Sequence, residues 1–331
     1  MNLSLFAKTL LVLTLPWLLP FNIHAHAAVP AAYQSNTYEN RVAVLMYHHI
    51  SNTARSTSTI TTRLFAAHLD ALQQNGYHVI SSPQLAAFLS GRAAVPPRAV
   101  VITFDDGYES FYKYAYPALR ERHMPGTCFI IVSAVGAGAD THTRMNWKQV
   151  PKLTWAQMRE MQEHDMSFYP HSYDNHYLAQ TSPGPAGRNL RPALAGPIWL
   201  AKLHRRETQA EYERRVHSDL FKAKEIMEKE LGRPVDQFSW PYGAASPAAM
   251  RIGESLGYKY FYFIDKGLDD QFTGPVHIRR INAGSPGITP DILLKNLNKY
   301  ALLPPPHQWQ ETLYLFHPAL TGQTILLTDT I

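Results

Sequence analysis

Short apolar runs alternate with amphipathic stretches along the chain. The continuous apolar runs 42–46, 99–104 and 127–132 are typical of strands that are buried on both faces. Between 209 and 231, apolar residues recur three and four positions apart, which predicts a long amphipathic helix that ends at Gly232. Strands and helices in this alternation predict parallel strands joined by right-handed crossovers.

The other apolar runs and amphipathic stretches of the chain predict further strands and helices. Additional strands are predicted at 78–80, 166–169, 238–240, 258–264, 276–281 and 312–316. Additional helices are predicted from Leu64 to a stop at Asn75-Gly76, from Pro83 to Leu89 behind Ser82 as N-cap, from the turn at 105–108 to about Arg122, from Thr154 as N-cap to about Glu163, and at about 246–256 and 289–302. Residues 181–208, rich in Pro, Gly and Arg, indicate an insertion. Six or seven strand–helix units predict a barrel-like α/β domain with its site at the carboxyl ends of the strands.

Both ends of the chain differ from this pattern. Lys8 precedes a short apolar run, 10–20, and an A-x-A-like site follows it, so we expect an export signal cleaved after Ala27. The run is shorter than the roughly 20 residues that span a bilayer, although a retained N-terminal anchor is the alternative. We therefore expect a signal peptide at 1–27, one domain at 28–303 and a tail at 304–331 behind a triple proline. The protein should be exported, periplasmic or secreted, with no integral membrane segment after cleavage.

Composition and charge narrow the class of protein. With 45% hydrophobic and 11% aromatic residues, the 331-residue chain is unlike a disordered one. Lys and Arg exceed Asp and Glu by 31 to 26, but the charges are scattered, so a nucleic-acid partner is not expected. The single cysteine, Cys128, excludes an internal disulfide framework, and its apolar neighbours favour a buried, inert thiol.

Two adjacent carboxylates follow the predicted strand 99–104. Asp105 and Asp106 lie where α/β enzymes carry reactive groups, although an ordinary Asp-Gly turn with a helix cap is the alternative. Because neighbours in a strand point to opposite sides, we expect the two side chains to have different tasks, one binding metal and one handling protons.

Two histidines follow another predicted strand, 166–169. His171 and His176, with one carboxylate, form a ligand set that leaves positions open for water, as catalytic divalent-metal sites require. A spacing of five does not align two residues on a helix face, so we expect a loop or an irregular turn to carry them. The alternative is a pair of surface histidines in a chain that has 16.

A tight turn, 240–243, follows the predicted strand 238–240. Its proline and glycine can direct a backbone N–H, that of Tyr242, at a developing oxyanion. An unremarkable strand-to-loop turn is the alternative.

The segments 103–108, 171–176 and 240–243 resemble the three motifs of the polysaccharide deacetylases with the NodB-homology domain, carbohydrate esterase family 4. The resemblance spans about residues 40 to 303. It implies a single α/β domain of the NodB-homology type, a deformed (β/α) barrel of about seven strands.

The same resemblance implies roles for the motif residues. Asp105 matches the family's general base, and Asp106, His171 and His176 match its metal ligands. The cofactor is then a divalent metal ion, and Zn, Co, Ni and Mn are not distinguished by such a ligand set.

Several departures from the commoner family pattern make the chain similar to the poly-β-1,6-N-acetylglucosamine N-deacetylases of biofilm export systems. These departures are the histidine spacing of five, the run 238–240 in place of an arginine, the opening 44–48 and the insertion after His176. In that subgroup the catalytic acid lies near the N-terminus, which points to His48, with His317 in the tail as the alternative. Arg280 is similar to a late arginine that contacts a catalytic carboxylate.

The resemblance implies a metal-dependent hydrolase that removes N-acetyl groups from an N-acetylglucosamine polymer and releases acetate. The β-1,6-linked polymer is favoured, and peptidoglycan or a chitin-like chain is the alternative substrate. A non-catalytic carbohydrate-binding protein on the same scaffold is the alternative from another class. The expected partners are the N-acetylglucosamine polysaccharide and an exopolysaccharide export machinery, and a second, glycoside-hydrolase domain is not expected.

Overall fold

The computed structural model of the protein describes residues 38–54, 56–137, 150–185 and 187–302. The predicted signal peptide at 1–27, the tail at 304–331 and His317 lie outside the described residues. Within the described part of the chain, no helix has the length and apolar character needed to cross a membrane.

The described residues form fifteen short strands and seven α-helices. The strands are β1 (Val42–Tyr47), β2 (His49–Ser51), β3 (Thr59–Thr61), β4 (His78–Val79), β5 (Ala99–Phe104), β6 (Gly126–Ile131), β7 (Met166–Ser172), β8 (Leu178–Gln180), β9 (Leu190–Pro192), β10 (Trp199–Leu200), β11 (Arg205–Arg206), β12 (Gln237–Ser239), β13 (Tyr260–Tyr262), β14 (Leu268–Asp269) and β15 (Ile281–Asn282). The helices are α1 (Thr62–Gln74), α2 (Ser82–Leu89), α3 (Tyr116–Glu121), α4 (Trp155–Gln162), α5 (Gln209–Leu231), α6 (Pro247–Ser255) and α7 (Pro290–Leu302).

One seven-stranded sheet organises the molecule. Its order is β14-β1-β5-β6-β7, with β15 paired to β1 and β4 paired to β5. All of these pairs are parallel except β14 with β1. A separate parallel pair, β12 with β13, packs beside β7. The parallel strands therefore bring their carboxyl ends, and the loops that follow them, to one end of the molecule.

The central strands are apolar because both of their faces are covered. Every residue of β5 and β6 is buried, and so are five of the six residues of β1. Cys128, in the middle of β6, is fully buried, and burial raises the pKa of its thiol well above the usual value. The prediction of a buried, unreactive cysteine is thus consistent with its surroundings.

The helices follow the predicted periodicity closely. α5 begins after Thr208, which forms a capping box with Glu211, and it ends at Gly232 in the left-handed conformation. Its apolar stripe is buried, as predicted. The N-cap of α2 is Ser81 rather than the predicted Ser82, because the Ser81 side chain and Gln84 form the capping box there.

Two predicted elements differ in form. The helix predicted after 105–108 begins as a π-turn, Phe111–Ala115, and becomes regular only in α3. Pro117 near the start of α3 has no N–H to donate to the preceding turn, which favours the wider turn. The strand predicted at 276–281 is reduced to β15 and one bridge at Ile278. The backbone N–H of Arg279 donates to Oδ1 of Asp269 and that of Arg280 to the carbonyl oxygen of Asp265, so these two N–H groups take no part in a strand ladder.

The predicted insertion, 181–208, contains β9, β10 and β11. β10 and β11 form one small antiparallel pair, and β9 forms another with β8, which directly precedes the insertion. The guanidinium of Arg215 on α5 anchors the insertion. It donates to the carbonyl oxygens of Ala193 and Gly196 and forms an ion pair with Glu207.

Candidate active site and metal centre

The site begins where β5 ends. The backbone N–H of Asp105 still donates to the carbonyl oxygen of Tyr47 in β1, but Asp106 has left-handed backbone geometry, with φ 73°. Strand alternation therefore stops between the two residues, and both carboxylates face the same histidine. The Nε2 atom of His171 is 3.9 Å from Oδ2 of Asp105 and 3.8 Å from Oδ1 of Asp106. Strand alternation therefore does not apply to this pair of side chains, and the division of tasks between them stays a prediction.

The three predicted metal ligands converge at the end of β5. One ligand atom each from Asp106, His171 and His176 lies within 4.8 Å of the others, and all three residues are buried. The Nε2 atom of His176 is 3.2 Å from Oδ1 of Asp106. That Oδ1 atom is buried and accepts no hydrogen bond from the described residues, so a cation fits there. One carboxylate and two imidazoles suit Zn, Co, Ni or Mn.

The surroundings of His171 prepare it to act as a ligand. The residue lies within β7, which extends beyond the predicted strand, and its Nδ1 is 2.7 Å from the carbonyl oxygen of Ser239. If Nδ1 carries the proton, Nε2 is left as a lone-pair donor toward the site. Burial lowers the pKa of His171 to about 4, which favours the neutral, ligand-competent ring at neutral pH.

Arg280 holds the other carboxylate in a forked contact. Its Nη1 donates to Oδ1 of Asp105 at 2.6 Å and its Nη2 to Oδ2 at 2.9 Å. The guanidinium also donates to the carbonyl oxygen of Phe263 and to Ser239 Oγ. Burial alone would raise the pKa of Asp105, but the site's electrostatics, with the Arg280 guanidinium as the largest opposing cause, hold the pKa below the usual value. Asp105 is thus a carboxylate at neutral pH.

His48 lies at the open side of the same carboxylate. Its Nε2 is 4.0 Å from Oδ2 of Asp105, and its side chain is 25% exposed. His49 lies close to a different group, as strand alternation predicts, since its Nδ1 is 2.9 Å from Ser110 Oγ and its ring packs on Tyr108. The structure therefore brings His48, and not His49, to the two aspartates.

Tyr242 borders the site from the turn after β12. Its backbone is left-handed, with φ 57°, and its ring packs against that of His176 with the centroids 4.8 Å apart. The glycine after it is required by the tight turn: Gly243 has φ 64°, and a Cβ there would lie 2.9 Å from the backbone nitrogen of Ile264.

Some residues around the site were missed from the sequence. Lys152 is buried, and its Nζ donates to the carbonyl oxygen of Asp106 at 2.8 Å. Asp219 on α5 and Ser239 in β12 also contact the site's loops or side chains. Only Asp219 carried a sequence signal, because it is an acidic residue on the apolar stripe of a predicted helix.

Parallel strands that end on carboxylates and imidazoles define an α/β enzyme with its site at one end of the sheet. The sequence model described as polysaccharide deacetylase matches residues 92–261, just over half of the chain. The chain belongs to this family.

Named relatives and solved structures agree with the family. The poly-β-1,6-N-acetyl-D-glucosamine N-deacetylase of Escherichia coli K12 is 29% identical over 235 residues, which cover 69% of this chain and 34% of that protein. The polysaccharide deacetylase YxkH of Bacillus subtilis, a putative one by its name, is 24% identical over 249 residues, which cover 75% of this chain and 73% of that protein. The chain spans about a third of the length of the Escherichia coli relatives.

The solved structures share the fold. The BpsB deacetylase domain from Bordetella bronchiseptica has a TM-score of 0.64 and 27% identity, with 73% of this chain and 96% of that chain covered. A de-N-acetylase from Aggregatibacter actinomycetemcomitans has a TM-score of 0.68 and 24% identity, with 77% and 99% covered. The predicted NodB-type deformed barrel is confirmed.

Proposed function

We propose that the protein is a metal-dependent N-deacetylase of an N-acetylglucosamine polymer, with the β-1,6-linked polymer favoured, and that it releases acetate. The observation that carries the proposal is the convergence of Asp106, His171 and His176 beside a carboxylate that Arg280 keeps ionised. A metal-ligand set next to a separate carboxylate that can act as a base suits the metal-assisted hydrolysis of an unactivated amide.

Asp106, His171 and His176 would hold the metal ion. When bound, a divalent ion makes water more acidic and polarises a carbonyl group. These three residues supply the ligand atoms, and the carbonyl oxygen of Ser239 fixes the ring of His171.

The other residues of the site divide the proton transfers. Asp105 accepts the proton of the attacking water, and Arg280 keeps that carboxylate ionised and oriented. The backbone N–H of Tyr242 donates to the oxyanion. His48, in its protonated form, donates a proton to the leaving amine, because an amide nitrogen is a poor leaving group otherwise.

The assignment is tested by acetate release from an N-acetylglucosamine oligomer, with and without a chelator. We expect activity that the chelator removes and added divalent metal restores. Asp106→Ala, His171→Ala and His176→Ala should each lose metal together with activity, whereas Asp105→Asn should keep its metal and lose about 10²- to 10⁴-fold in turnover. Full metal occupancy in all three alanine variants would reject the ligand set, and binding of the oligomer without acetate release would favour a non-catalytic carbohydrate-binding protein.

The linkage of the substrate needs its own experiment. The β-1,6-linked polymer is supported by His48 beside Asp105 and by the activity for which the Escherichia coli relative is named. Turnover should be measured on defined β-1,6 and β-1,4 N-acetylglucosamine oligomers of equal length. Faster turnover of the β-1,4 oligomers would favour a peptidoglycan or chitin-like substrate.

We also propose that the protein is exported, to the periplasm or beyond, where an exopolysaccharide export machinery would supply the polymer. The support is the sequence pattern before Ala27. N-terminal sequencing of the protein from cell fractions tests the proposal, and an intact N-terminus in the cytoplasmic fraction would contradict it.

A further inference from the structure

The loop between the two candidate histidine ligands has no regular structure that could fix it. His171 lies within β7, but His176 follows five residues later in the chain, outside any strand or helix. A ligand on such a loop is placed correctly only if other contacts hold the loop.

A buried carboxylate on α5 supplies these contacts. Asp219 is 3% exposed, and its Oδ1 accepts from the backbone N–H of Tyr173 at 3.0 Å. Its Oδ2 accepts from the backbone N–H of Asp174 at 2.8 Å and from Nδ2 of Asn175 at 2.6 Å. Three consecutive loop residues therefore donate to one side chain, and all three lie between His171 and His176.

The preceding turn of α5 holds the loop from a second direction. Arg215 lies four residues before Asp219, and its Nη1 donates to Oδ1 of Asn175 at 3.4 Å. Asn175 is thus held at both ends of its amide, by Asp219 and by Arg215. Because α5 is packed along its whole apolar stripe, it offers the loop a rigid support.

We propose that Asp219 is a positioning residue that sets the affinity of the site for its metal ion by fixing the loop 173–175 and, through it, His176. The proposal rests on the metal site proposed above. Hydrogen bonds from backbone N–H groups to a carboxylate are stronger than those between neutral groups, so replacing the carboxylate releases the loop. Outer residues that orient metal ligands typically contribute about 10- to 100-fold in metal affinity or activity.

Asp219→Asn is the sharpest variant. The amide matches the carboxylate in shape, but its NH₂ group faces donors and cannot accept from them. We expect Zn²⁺ to bind the purified full-length variant about 10- to 100-fold more weakly, measured by competition with a chelating dye. Activity should return at saturating Zn²⁺, which a general loss of folded protein would not allow.

A matched control separates positioning from simple stability. Asp269 is also a buried aspartate that accepts a backbone N–H, from Arg279, but it lies in β14. Asp269→Asn should leave the affinity for Zn²⁺ unchanged. Asn175→Ala removes one of the three donors without altering α5, so it should weaken Zn²⁺ binding in the same direction but less, and it serves if Asp219→Asn does not fold.

The affinities of the wild type and the variants for Zn²⁺ separate failure of the positioning role from failure of the metal site. If the wild-type protein binds Zn²⁺ or Co²⁺ through His176, and Asp219→Asn and Asn175→Ala bind it equally well, the positioning role is overturned while the metal site stands. An equal loss of affinity in Asp269→Asn would also overturn it. If the wild-type protein binds neither ion, the proposed metal site fails, and the role of Asp219 fails with it.

Discussion

Asp105 is a carboxylate whose charge depends on its neighbours. Burial opposes its ionisation, and the forked contact with Arg280 is the main compensation. Removing Arg280 should therefore raise the pKa of Asp105, and since the base acts in its ionised form, the acidic limb of kcat/KM should move to higher pH.

Arg280→Met tests this dependence, with Arg280→Lys as the control that keeps a positive charge. We expect the pH–rate profile of the methionine variant to shift upward on its acidic side, and the lysine variant to shift less. Stability should fall in the methionine variant, because removing one partner of a buried ion pair typically costs about 3–5 kcal/mol. An unshifted acidic limb in a folded, metal-loaded methionine variant would contradict the role of Arg280.

A second test at the level of single residues concerns His48. Protonating the leaving group matters more for an amide than for an activated aryl ester, which needs little help from an acid. His48→Ala should therefore lose most N-deacetylation, retain more of its aryl-esterase activity, and keep its metal. Parallel assays on both substrates give the ratio, and an equal loss on both would remove His48 from the role of the acid. His317→Ala is the comparison variant.

Residues inside the motifs could be predicted, and residues that support them could not. Asp106, His171 and His176 lie in motif segments at strand ends, so their convergence followed from the parallel order of the strands. Lys152 had no signal, because its contact is with the carbonyl oxygen of Asp106, and that carbonyl points toward it only after Asp106 takes its left-handed geometry.

At the level of elements, the strands place the site residues through backbone contacts. The end of β1, directly before His48, is held by the segment after β15: the N–H groups of Ala283 and Gly284 both donate to the carbonyl oxygen of Met46. Gly284 lies so close that an added Cβ would be 3.0 Å from Cα of Tyr47 and 3.5 Å from the backbone nitrogen of His48. A side chain there must displace backbone.

Gly284→Ala should therefore lower turnover by displacing His48, while the metal affinity is kept because none of the three candidate ligands lies on β1. Gly287→Ala is the matched control, since no atom lies within 4 Å of the added Cβ. Acetate release and Zn²⁺ affinity should be measured for both. Equal activity of the two variants would show that the close approach of Gly284 does not position His48.

Elements with strong periodicity were predictable, and elements that depend on distant partners were not. The helix 209–231 was predicted with its observed limits, because its stripe, its capping box and its final glycine all agree. The segment 276–281 was predicted as one strand because it is rich in β-branched residues. Its irregularity comes from the backbone N–H groups of Arg279 and Arg280, which donate to the side chain of Asp269 and to the carbonyl oxygen of Asp265 instead of to a strand. An apolar pattern gives no sign of such partners.

For the whole molecule, the pH dependence of the free energy of unfolding should show that burying the ionised side chain of Asp269 is unfavourable. This side chain is fully buried in β14, and its Oδ1 accepts from Arg279 while its Oδ2 has no hydrogen-bond partner among the described residues. Burial outweighs the charge of Arg279 and raises the pKa of Asp269 to about 6. The folded state therefore binds a proton that the unfolded state has already released between about pH 4 and 6.

The contribution of Asp269 to stability therefore decreases as the pH rises. Stability from Asp269 is present in full below the unfolded pKa of about 4 and is lost as the pH rises through about 6. Asp269→Asn has no proton to lose, so its free energy of unfolding relative to the wild type should increase as the pH rises from 4 to 7. One pKa unit corresponds to about 1.4 kcal/mol, so the relative gain should reach a few kcal/mol. Urea unfolding at a series of pH values measures it, and a difference that stays constant from pH 4 to 7 would show that burial does not perturb Asp269.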